Sequence, residues 1–122
     1  MIRDCKRDPQ KTLEDFYKGL LTESGKDMAG SLQFKNIDYS RLIYGLYILK
    51  TADYRDFLDI VDVPALIITG LKDIICVPQV SEYMHKRIRQ SELKVFDCGH
   101  LPFLDKAGEF NSAIKEFIKR LK

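Results

Sequence analysis

The chain reads as an α/β protein, helical in its first half, with a strand–helix–strand–helix unit in its second. Residues 65 to 70, Ala-Leu-Ile-Ile-Thr-Gly, form an apolar run with no polar alternation, the pattern of a strand covered on both faces in a parallel sheet. Residues 93 to 96, Leu-Lys-Val-Phe, form a second short run. A helical stretch lies between them, as a parallel crossover requires. Residues 1–60 are therefore assigned to a helical segment and 61–122 to an α/β segment.

The elements follow in order. Asp8-Pro9 predicts a helix start, because Asp caps orphan amides and Pro fits the first turn. Leu13, Phe16, Tyr17, Leu20 and Leu21 place one apolar face at helical spacing, and Ser24-Gly25 is a plausible end. A second helix is predicted from Asn36 or Asp38. Its apolar face (Tyr39, Leu42, Ile43, Leu46, Tyr47, Leu49) is broad enough to predict contact on two sides. Asp53 to Leu58 predicts a short helix, and Val63-Pro64 an extended lead into the first strand. Pro78 opens a helix with Val80, Tyr83, Met84 and Ile88 on one face. Phe110, Ile114, Phe117, Ile118 and Leu121 mark the closing helix.

Composition excludes several function classes. An apolar fraction of 45% with 31% charged residues is ordinary for a globular domain, and 122 residues suffice for one core. A net charge of +2, with basic and acidic residues interleaved, does not make a nucleic-acid footprint. No apolar run approaches the roughly 20 residues that span a bilayer. The first residues, Met-Ile-Arg-Asp-Cys-Lys-Arg, have no apolar signal-peptide core. Cys5, Cys76 and Cys98 are odd in number and widely spaced, without metal-ligand spacing. The expectation is a cytoplasmic chain with free thiols, needing no metal or nucleotide cofactor.

The chemistry is expected beyond the C-terminal ends of the two strands, where parallel sheets collect reactive groups. Asp73 follows the first strand and His100 the second. Adjacent parallel strands would bring them together, the Asp orienting the His as a general base. Gly99 is expected to let the backbone turn sharply, and Pro102 to stiffen the loop. Each residue also has an ordinary reading: Asp73 as a turn former, His100 as a surface or core histidine. Asp97 and Asp105 lie close enough to compete for the acid role, although Asp97 reads as a strand-end residue and Asp105 as a helix cap. His85 reads as a surface residue. Cys98 stands too close in sequence to His100 for in-line attack.

The blocks Val63-Pro64-Ala65-Leu66-Ile67-Ile68-Thr69-Gly70-Leu71-Lys72-Asp73 and Val95-Phe96-Asp97-Cys98-Gly99-His100-Leu101-Pro102-Phe103 resemble the acid and histidine segments of α/β-hydrolases. Ile48-Leu49-Lys50-Thr51-Ala52-Asp53-Tyr54-Arg55 resembles the cap-to-core passage of one branch, the pimeloyl-acyl-carrier-protein methyl ester esterases of biotin synthesis. The resemblance implies a partial α/β-hydrolase fold, cap helices followed by the last core strands. It also implies a Ser-His-Asp triad with Asp73 and His100 as acid and base, and an ester substrate linked to acyl-carrier protein. The departure is the nucleophile. Family members carry Gly-x-Ser-x-Gly ahead of the acid, and none of Ser24, Ser31, Ser40, Ser81, Ser91 or Ser112 has those flanking glycines.

Two functions compete. One is the acid-and-base part of a carboxylic-ester hydrolase, inactive alone and completed by a chain carrying the missing core. The other is a non-catalytic interaction or remnant domain, expected to self-associate through an uncovered strand edge and the broad second helix. A dehalogenase or carbon–carbon bond hydrolase is a weaker third, since those enzymes also use Asp and His after the same strands.

Overall fold

The computed structural model describes residues 1–20, 22 and 37–121. The predicted helix termini at Ser24-Gly25 and Asn36, and Leu21, lie outside these residues. Helix α1 spans Ile2–Arg7 and α2 spans Pro9–Leu20. Asp8 starts α2 as its residue type dictates: Oδ1 accepts from the Lys11 amide at 3.1 Å. Leu13 and Leu20 are the buried part of the α2 face, with Phe16 and Tyr17 half-buried. Helix α1 has no signature in the sequence, because so short a polar stretch carries no periodicity; it buries Cys5.

Helix α3 spans Tyr39–Thr51, with the Asp38 carboxylate capping the Ser40 and Arg41 amides. The predicted two-sided burial of its broad apolar face is not found. No residue of α3 is buried, Tyr44 and Leu49 are 68% and 79% exposed, and the helix packs chiefly against α1. Apolar width records how much surface wants covering, and the described elements supply cover on one side only. A 3₁₀ segment, Arg55–Ile60, follows. The Arg87 guanidinium pairs with Asp59 at its end, and Gln90 donates to Asp62 at 3.0 Å. These contacts fix the chain as it enters the sheet.

The sheet has two parallel strands, β1 (Ala65–Gly70) and β2 (Ser91–Phe96). The register runs from Ala65 opposite Ser91 to Gly70 opposite Phe96. Strand β2 begins two residues before its apolar run, because register with β1 extends it through polar Ser91 and Glu92. Helix α4 (Pro78–Arg87) packs on both strands. Its inward residues are Ser81 and Met84, with Ile88 just beyond, whereas Val80 and Tyr83 are exposed. The predicted face is thus rotated: a small Ser, invisible to an apolar count, faces the sheet. Helix α5 (Pro102–Asp105) and helix α6 (Ala107–Arg120) close the chain, with Ala113 buried in α6. An ion pair from Arg120 to Glu92 at 2.5 Å ties α6 to β2. No helix among the described residues is long and apolar enough to cross a membrane.

Candidate active site

The end of β1 is where two loops meet. A Cβ on Gly70 would stand 2.0 Å from the Gly99 carbonyl oxygen and 2.5 Å from that of Cys98. Only glycine allows this approach, since both obstacles are backbone. Past the strands the ladder continues, with the Leu71 amide donating to the Phe96 carbonyl at 2.7 Å and the Lys72 amide to the Cys98 carbonyl at 2.9 Å. An ion pair from Lys72 to Asp97 at 2.7 Å spans the outside. The loops are therefore joined along their backbones before any site side chain is considered.

Asp73 lies in the first loop, its amide bonded to the Gly70 carbonyl at 3.2 Å. Its Oδ1 accepts from the Ile75 and Cys76 amides at 2.8 and 2.9 Å. These two bonds aim Oδ2 at the second loop, where it lies 2.8 Å from His100 Nδ1. The Asp73 side chain is 5% exposed and that of His100 30%. Burial pushes the Asp73 carboxyl toward its neutral form, but the hydrogen bonds from His100 and from the Cys76 and Ile75 amides outweigh it. Its pKa sits below the ordinary value. An ionised carboxylate facing Nδ1 favours the tautomer with the proton on that nitrogen and leaves Nε2 to exchange a proton.

His100 is held at its backbone, its amide donating to the Leu20 carbonyl at the end of α2 at 3.0 Å. Gly99 is glycine for space, since a Cβ there would meet the Leu20 carbonyl oxygen at 2.7 Å. Pro102 is buried as the first residue of α5. Neither competing carboxylate bonds to His100. Asp97 is a strand-end residue paired with Lys72. Asp105 is not a cap: Lys106 precedes α6, and Asp105 is buried with Oδ2 accepting from the Gly99 amide at 2.9 Å and the Thr22 amide at 3.4 Å. The sequence pattern of a polar residue before a helix imitates a cap, and only the tertiary contact with the loop shows where the side chain goes.

Cys98 is fully buried, and burial pushes its thiol up to about 11, so it is no nucleophile at neutral pH. Cys76 is exposed, its thiol also raised by burial and by the Asp73 charge. His85 is exposed, with Nδ1 2.8 Å from Ser91 Oγ. Asp73, Ser81, Met84 and His100 line a groove of about 390 Å³ together with β1. Among the described residues the His100 ring is hydrogen-bonded to the Asp73 carboxylate and to no serine; Ser24 and Ser31 lie outside them. The steric role of Gly70 and the Leu20 contact are not legible in the sequence, because both depend on backbones distant along the chain.

Residues 2–107 match the family defined by the alpha/beta hydrolase fold, and the chain belongs to that family. Over 71 residues it is 41% identical to the pimeloyl-[acyl-carrier protein] methyl ester esterase of Neisseria meningitidis serogroup B, a stretch covering 57% of this chain and 28% of that enzyme. A stretch of the same length is 36% identical to a proline iminopeptidase of Lactobacillus acidophilus, covering 57% of this chain and 24% of that one. Among solved structures, an esterase from Exiguobacterium antarcticum superposes with a TM-score of 0.88 at 30% identity, over 97% of this chain and 46% of its own. An enol-lactonase from Burkholderia xenovorans superposes at 0.86 over 97% of this chain and 48% of its own, with 17% identity, a likeness of fold alone. The chain thus spans less than half the length of these proteins.

Proposed function

We propose that this chain supplies the acid and base of a Ser-His-Asp carboxylic-ester hydrolase, with Asp73 orienting His100 and His100 exchanging the proton at Nε2. The observation that carries the reading is the 2.8 Å contact between His100 Nδ1 and a buried Asp73 oxygen at the mouth of a groove. In this reading a serine outside the 122 residues attacks the ester carbonyl. His100 takes its proton and returns it to the leaving alcohol. Asp73 stabilises the imidazolium between the two transfers. The identity to an esterase acting on an acyl-carrier-protein methyl ester supports a carrier-linked ester as substrate. The serine and its oxyanion donors arrive on polypeptide seated against the open edge of β1, which pairs with β2 alone among the described residues.

The test is complementation. The chain is mixed or co-expressed with the part of the Exiguobacterium esterase that it does not cover, and p-nitrophenyl ester hydrolysis is measured. The chain alone is expected to be inactive, because a His-Asp pair without nucleophile offers only about 10²- to 10⁴-fold general-base help. The mixture is expected to gain activity that His100→Ala and Asp73→Ala abolish. Complemented activity indifferent to both variants refutes the assignment and favours the second reading, a non-catalytic interaction domain. That reading draws on the exposed apolar residues of α3.

A further inference from the structure

Asp105 is a buried carboxylate that the proton transfer above does not use. It is 9% exposed, and among the described residues its buried Oδ1 has no hydrogen-bond partner. Such a group is costly to keep, because a buried acceptor without a donor forfeits its hydration. Its other oxygen explains its presence. Oδ2 accepts from the Gly99 amide at 2.9 Å, one residue before His100. The same oxygen lies 3.4 Å from the Thr22 amide, just past α2. The His100 amide is tied to that same end of α2 through the Leu20 carbonyl. On the opposite side the Gly99 carbonyl is pressed against Gly70, where no Cβ fits. The loop bearing His100 is therefore gripped between the end of β1 and the end of α2, and Asp105 is the side chain that closes the grip.

We infer that Asp105 is a positioning residue for His100: by holding the Gly99 amide it sets the backbone from which the imidazole reaches Asp73. This rests on the proposed His100–Asp73 pair. A ring displaced by even about 1 Å loses a hydrogen bond made at 2.8 Å. The contact is local, so the fold is expected to outlast its loss.

The test reads the His100 tautomer by ring ¹⁵N NMR on the full chain, at a pH where the ring is neutral. The native chain is expected to hold His100 with its proton on Nδ1. Asp105→Ala and Asp105→Leu are expected to keep the folded amide spectrum but lose that preference, drifting toward the Nε2-protonated form that a free histidine side chain favours. Asp105→Asn is expected to retain the native tautomer, since its amide oxygen still accepts from Gly99. A native tautomer in both apolar variants overturns the inference. So does its loss in a folded Asp105→Asn, or loss of fold in both apolar variants, which would make Asp105 a general structural residue. Absence of the Nδ1 preference in the native chain, by contrast, overturns the His100–Asp73 pair itself.

Discussion

Asp73 receives hydrogen bonds from His100 and from two backbone amides while almost wholly withdrawn from water. Truncating it leaves those donors unmatched, so Asp73→Ala is expected to cost about 1–3 kcal/mol in urea unfolding at pH 7. Its pH dependence has a definite sign. The folded-state pKa lies below the ordinary value of 3.8, so folding favours the ionised form. That contribution is full above the ordinary value and disappears as pH falls through the lower, folded one. The stability gap between the native chain and Asp73→Asn is therefore expected to be flat from pH 7 to about 5 and to close below about 4. Urea midpoints across that range check it. The glycines separate as sharply. Gly70→Ala drives a Cβ into two backbone carbonyls and is expected to destabilise by about 1–3 kcal/mol, the usual scale of overpacking. Gly45 lies inside α3, where an added Cβ would have nothing within 4 Å, and is expected to gain about 0.5–1 kcal/mol as Ala. Thermal midpoints of the two variants should move in opposite directions.

Helix α3 shows what an element can hold without a core. Its start is specified locally by Asp38, whose carboxylate meets two first-turn amides. Because α3 buries no side chain fully, that cap is a large part of its support. Asp38→Ala is expected to cost about 0.5–2 kcal/mol. Faster hydrogen exchange confined to α3, with β1 unchanged, would mark the loss as local. The strands behave differently. Strand β1 holds the buried residues Ile67, Thr69 and Gly70, while no residue of β2 is buried. An unbroken apolar run announced β1, but the first residues of β2 belong to it only through pairing.

At the scale of the whole molecule, the interior formed by the described residues is small. Large apolar side chains including Leu49, Ile60 and Ile74 are more than 70% exposed, and β1 has no neighbour on its outer side among the described residues. Covering one such side chain is worth roughly 1.5–3 kcal/mol, so several together rival a small domain's stability. Helix α3 does not provide that cover: it packs chiefly on α1, and the chain keeps the arrangement of the Exiguobacterium esterase. The chain alone is therefore expected to associate at micromolar concentration. Leu49→Lys with Tyr44→Lys should weaken that association, as read by sedimentation velocity. A native chain that sediments as a monomer would overturn the expectation.

By itself the sequence determined the α/β class, β1, the cap at Asp8, and the positions of Asp73 and His100, because each is written in neighbouring residues; it narrowed the start of α3 to Asn36 or Asp38. Apolar runs, capping side chains and reactive residues just past strand ends are short-range signals. What only the tertiary structure decided is long-range. The extent of β2 depends on register with β1. The need for glycine at Gly70 and Gly99 comes from carbonyls elsewhere in the chain. The inward face of α4 depends on the sheet beneath it, and the placement of Asp105 on the Gly99 amide rather than on a helix end depends on how α5 turns. Local chemistry selects an element. Which of its faces is buried, and which loop a carboxylate reaches, is settled by the elements packed against it.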